Sequence, residues 1–107
     1  MVRIIDINGY AYELHFVEHS SIDAFGDCTT PDVGNAKPGV IRISKEISGE
    51  TLLDTLIHEF THADLDQVAE LYVERHGRGL AKFLIELGLI NEDKLNAIKL
   101  AKASKKQ

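Results

Sequence analysis

The segment His58-Glu59-Phe60-Thr61-His62, set in an apolar run that begins at Leu52, restricts what this chain can fold into more than any other stretch. Two histidines four residues apart share one face of a helix, a turn apart, where their ring nitrogens can converge on one ion. Leu52, Leu53, Leu56, Ile57 and Phe60 form a stripe that anchors such a helix in a core, and no helix breaker stands between Glu50 and Ala63. Ser48 is the expected N-cap, with Glu50 in the first turn. Half-buried imidazoles beside a carboxylate are costly without a partner, so the pattern predicts a metal site. Glu59, next to the first histidine, is placed to accept a proton from a metal-bound water, the general-base arrangement of zinc hydrolases.

The chain of 107 residues has room for one domain with one modest core, so the whole span 1–107 is read as a single unit. No apolar stretch reaches membrane-spanning length, and the N-terminal MVRIIDING lacks the pattern of a secretory signal. Cys28 is the only cysteine, which excludes an intrachain disulfide and a cysteine-rich zinc site. The expectation is a cytoplasmic protein with no membrane partner. Net charge is −5, yet Lys94, Lys99, Lys102, Lys105 and Lys106 crowd the last stretch, about 91–107, and leave the rest acidic. An acidic body argues against a nucleic-acid partner, and the lysines read as a solvated helix end.

Upstream, Arg3–Ile7 and Tyr10–Val17 read as strands joined through Asn8-Gly9, a strong hairpin signal. Tyr10, Tyr12, Leu14 and Phe16 alternate onto one face, expected to cover the motif helix. From Glu18 to Pro38 the composition is that of a long loop. Gly39–Ser44 reads as a third strand. A second helix is expected from about Ala69 to Leu87, with Val73, Leu80, Leu84 and Leu87 as its stripe and Gly88 as its stop. A third is expected from Asn91 through Leu95, Ile98 and Ala101. The fold class is α+β: a short antiparallel sheet packed against about three helices.

A catalytic zinc takes three protein ligands and keeps a fourth position open. Leu65 and Val68 stand where a glycine and a third histidine would follow the motif in one zinc-peptidase group, so the third ligand must come from the second helix. Glu70, Glu74 and His76 are the candidates; the glutamates are i, i+4 neighbours on one flank of the stripe, and His76 falls near its middle.

From Gly26 onward the order Gly-Asp-Cys, a Pro-containing loop, Val-Ile-Arg-Ile, Leu-x-x-Leu-Ile-His-Glu-x-x-His-Ala, Val-Glu-Arg and Gly-Leu-Ala-Lys-x-Leu resembles the small zincin-like metallopeptidases common in tailed-phage genomes. The likeness covers most of the chain and is most specific from Leu56 to Leu84. It implies a zinc-dependent peptidase with His58, His62 and Glu74 as ligands, Glu59 as general base and a peptide or protein substrate. It also implies that substrate lies along the strand beside the motif helix, Val40, Ile41, Arg42 and Ile43, adding to its free edge. The family carries an acidic residue where Gly79 stands and a polar cap where Ala69 stands. Tyr72, Arg75 and His76 are candidate oxyanion donors, and Asp27 and Cys28 candidate lining residues of the site. A different class of reading is a metal-stabilised interaction module without turnover, against which Glu59 argues, since a structural site has no use for it.

Overall fold

In a computed structural model describing residues 2–100, the Asn8-Gly9 turn joins strand β1 (Val2–Ile7) to β2 (Tyr10–Val17) in antiparallel register, Ile7 opposite Tyr10. Asn8 at φ 54° and Gly9 at φ 89° both occupy the left-handed region, which a two-residue hairpin turn requires and these two residue types tolerate. Asn8 Nδ2 also hydrogen-bonds the Asp64 carboxylate, tying the hairpin tip to the end of the motif helix.

The chain then crosses over, and within the segment expected to be loop it forms two short 3-10 turns and a strand, β3 (Gly26–Thr29). Next comes β4 (Gly39–Ser44), which pairs parallel with β2 and antiparallel with β3, giving the order β1-β2-β4-β3. The sheet is therefore mixed, not wholly antiparallel as expected, because the crossover returns the chain to the direction of β2. It also places β4 inside the sheet with both edges paired. The expectation that Val40 to Ile43 offers a free edge is corrected: the edge beside the motif helix belongs to β3.

Helix α1 (Gly49–Asp64) carries the motif, α2 (Glu70–Glu86) returns beside it, and α3 (Glu92–Leu100) closes the described chain. Residues 101–107, with Lys102, Lys105 and Lys106, lie outside the described residues. Ser48 occupies the α1 N-cap through its carbonyl, which accepts from Leu52 N–H, but its side chain caps nothing. At α3 the Asn91 side chain does cap, accepting from Lys94 N–H at 2.9 Å. Gly88, at φ 75°, ends α2 as a left-handed C-terminal residue should. No helix among the described residues is long and apolar enough to cross a membrane.

The core joins Tyr12, Leu14, Ile41 and Ile43 of the sheet to Leu52 and Leu53 of α1, Ala81 of α2 and Leu95 of α3. Tyr12 and Leu14 point into it and Phe16 is half-buried, but Tyr10 is exposed at the hairpin end. On α2 the buried line runs through Val73, Gly77 and Ala81. It leaves His76 and Leu87 in solvent and Leu80 half-buried, against the expectation that all three mark the packed stripe. Phe60 on α1 is likewise exposed.

Two close approaches position the site. A Cβ on Gly26 would stand 2.9 Å from Thr55 Cγ2 and 3.0 Å from the Arg42 carbonyl, so only glycine lets β3 lie this near α1. A Cβ on Gly77 would stand 2.7 Å from Asp54 Oδ1 and 3.1 Å from the Asp54 carbonyl, so α2 runs against α1 on bare backbone.

Candidate metal centre

On α1 the row Asp54, His58, His62 advances one turn per step along a single face. The face of α2 that meets it is fixed by Gly77. Glu70 lies seven residues before Gly77 and so within about 20° of the same line along the helix. Glu74, three residues before, is turned roughly 60° away. Glu70 accordingly reaches the histidines: its two carboxylate oxygens lie 2.9 Å from His58 Nε2 and 2.9 Å from His62 Nε2. The two Nε2 atoms are 3.1 Å apart. Among the described residues this is the only set of three side chains whose ligand atoms converge in this way, all within 4.8 Å of one another.

The structure therefore brings Glu70, and not Glu74, to the imidazoles. Glu74 stands one turn further along α2 and lines the same cleft without joining the triad. His76 is exposed, and neither it nor Tyr72 nor Arg75 lines the cleft, so none of the three is placed as an oxyanion donor. Ala69 stands at the α2 N-cap with no capping side chain, and Gly79 faces open space.

The donor set fits a metal ion. Two imidazole nitrogens and a carboxylate oxygen at about 2.0–2.2 Å from one tetrahedral centre would be separated by roughly 3.3 Å, close to the spacings here. Both rings present Nε2 to the same point.

Glu59 is 5% exposed and has no hydrogen-bond or ion-pair partner among the described residues. Burial pushes its carboxyl up to about 7, and the negative charges of Asp27 and Glu70 add to the shift. It lines a cleft of about 620 Å³ whose helical wall carries His58, His62 and Glu70 and whose other wall is the stretch from Ala24 to Cys28. Asp27 and Cys28, the two candidate lining residues, both line this cleft. Asp27 is held by Arg42, whose Nε donates to it at 2.9 Å. Burial, with Glu59 and Asp27 nearby, pushes the Cys28 thiol up to about 11, which keeps it protonated and unreactive.

The β3 strand is the feature that sequence reasoning missed. Ser44 N–H donates to the Phe25 carbonyl at 2.8 Å. By the alternation of an antiparallel ladder, Asp27 and Thr29 also bond toward β4, and the peptide groups of Gly26 and Cys28 face outward along the cleft. Comparison with protein-family models, with curated proteins and with solved structures finds no match to this chain.

Proposed function

We propose that this protein is a zinc-dependent hydrolase acting on peptide bonds, with His58, His62 and Glu70 as metal ligands and Glu59 as general base. The observation that carries the reading is the convergence of three ligand atoms next to a buried carboxylate with no partner among the described residues. His58, His62 and Glu70 would hold the ion, and zinc bound there would supply Lewis-acid chemistry and would lower the pKa of water at the site toward neutrality. Glu59, raised by burial when no cation is near, is returned toward its ionised form by positive charge at the triad. Its carboxylate then takes the proton of the attacking water and delivers it to the leaving nitrogen. The outward peptide groups of Gly26 and Cys28 pair with an extended substrate as an added strand and align its scissile bond with Glu59. This replaces Val40 to Ile43 as the substrate-binding strand. Resemblance to the small zincin-like metallopeptidases of tailed phages points the same way, and a lone protonated Cys28 suits a cytoplasmic setting.

A metal-holding module without turnover would leave Glu59 with no task, so the decisive variant is Glu59→Gln, which keeps the shape of the side chain and cannot accept the proton. Zinc-loaded wild type should cleave members of a peptide library, and the variant should retain its zinc and lose turnover by about 10²–10⁴-fold. Undiminished cleavage by the variant, or none by the wild type across a broad library, contradicts the proposal.

A further inference from the structure

Among the described residues Phe25 is the one large apolar residue that lines the cleft, and it is 49% exposed. A single exposed aromatic is ordinary on a protein surface. This one stands at the entry to β3, the strand that borders the cleft, and it is held from two sides. Its carbonyl accepts the Ser44 N–H at 2.8 Å, which continues the pairing of β3 with β4 by one residue. Its ring lies against the His19 ring, with centroids 5.9 Å apart and an angle of 47° between the planes. His19 is fixed in turn, its Nδ1 hydrogen-bonded at 3.0 Å to the hydroxyl of Ser44, a fully buried residue. The aromatic side chain is therefore in place before anything binds, and contact with it costs little ordering of the protein.

Strand alternation decides which side chain of a paired peptide would meet it. A Cβ on Gly26 would point at Thr55 of α1, so Gly26 and Cys28 face the helix, and Phe25, Asp27 and Thr29 face the other side of the sheet. On that side Asp27 is taken up by Arg42 and Thr29 is small, which leaves Phe25 as the large apolar contact. An extended chain added to the β3 edge, unpaired among the described residues, sends alternate side chains to the same side. The one beside Phe25 comes within about 4.5–5.5 Å of it, Cβ to Cβ.

The packing of β3 on α1 sets the distance to the reacting position. Gly26 abuts Thr55 and Cys28 stands near Glu59, while Thr55 and Glu59 are one helical turn apart, so two strand residues match one turn. Phe25 precedes Cys28 by three residues, about 10 Å of strand.

We propose that Phe25 is a specificity-determining residue, receiving a large apolar side chain of the substrate about 10 Å along the strand from the residue beside Glu59. This rests on the hydrolase reading and names its substrate class: peptides with an aromatic or branched apolar residue about three positions from the bond that reacts.

The test uses the zinc-loaded Glu59→Gln protein and isothermal titration with acetylated serine–threonine peptides that carry phenylalanine, leucine, serine or glutamate at the centre. The uniform host lets the protein choose the register. The phenylalanine peptide should bind about tenfold tighter than the serine peptide, the scale of an aromatic pair with its buried area, and the glutamate peptide weakest. Adding Phe25→Ser should erase the advantage, and Phe25→Leu should keep part of it; at half exposure neither change opens the core. Contact is read independently of affinity. The chain has no tryptophan, so Phe25→Trp supplies a single reporter whose emission should shift to the blue with the phenylalanine peptide and stay in place with the serine peptide. Equal affinities for those two peptides, binding of neither, an advantage that survives in Phe25→Ser, or an unmoved tryptophan emission overturns the proposal. Cleavage by zinc-loaded wild type is scored separately: an apolar preference in binding with no cleavage supports the role of Phe25 and removes the hydrolase reading. Cleavage without an apolar preference does the reverse.

Discussion

On the helical wall of the cleft, the groups that face inward are side chains: His58 and His62 on α1 and Glu70 in the first turn of α2. On the strand wall, Gly26 and Cys28 present peptide groups at an edge that is unpaired among the described residues. Under the proposed function, the first wall would supply the reaction chemistry, and the second would bind the extended shape common to all peptides. Glu59 sits where they meet, close enough to both that Asp27 of β3 and Glu70 of α2 each raise its pKa. On the proposed reading, reaction and alignment are divided between the two walls of one cleft.

The sharpest way to break this comparison is at the junction. Folded, metal-free protein holds the Glu59 proton up to a pH of about 7, whereas the unfolded chain releases it near the ordinary value of 4.5. The folded state therefore binds more protons between those values, and Glu59 makes the metal-free protein progressively less stable as pH rises from about 4.5 to about 7, after which its cost is constant. Glu59→Gln should match wild type near pH 4 and exceed it by about 2–3 kcal/mol at pH 8, read from urea unfolding in chelator. Equal stability at pH 8 would mean that Glu59 is not an uncompensated buried acid.

A smaller effect sharpens the description of the strand wall. If the Gly26 and Cys28 peptide groups align the substrate, a cleavable peptide N-methylated at one alternate amide should lose about 5–10-fold in kcat/KM, the worth of a single hydrogen bond. Methylation at the intervening amide, which faces away, should cost little. Equal losses at both positions, or none, would show that β3 does not take a strand.

Much of the helical wall is legible in the sequence, because its chemistry and its packing have the same period. His58, Glu59 and His62 lie on an apolar helix, and the Asn8-Gly9 hairpin, the Asn91 cap and the Gly88 stop are local signals that tertiary contacts do not override. The choice of Glu70 over Glu74 is set by Gly77, a residue that hydrophobicity ignores and that packs because it has no side chain. The same small-residue line through Val73, Gly77 and Ala81 turns His76 outward. Taking seven residues back from a helix-facing glycine would have identified Glu70. The strand wall was hidden for a different reason. Gly26-Asp27-Cys28-Thr29 has no apolar alternation and becomes a strand through backbone bonds to β4, a partner that only the folded topology supplies. The parallel pairing of β2 with β4 depends likewise on the crossover, which leaves no local mark.

The central claim is that His58, His62 and Glu70 together hold one metal ion, and zinc content after exhaustive dialysis tests it most directly. Wild type and Glu74→Ala should each retain about one zinc per chain, while Glu70→Ala, with two ligands left, should retain little. Wild-type protein that stays empty when zinc is supplied, or a Glu74→Ala variant that loses zinc while Glu70→Ala keeps it, would contradict the account.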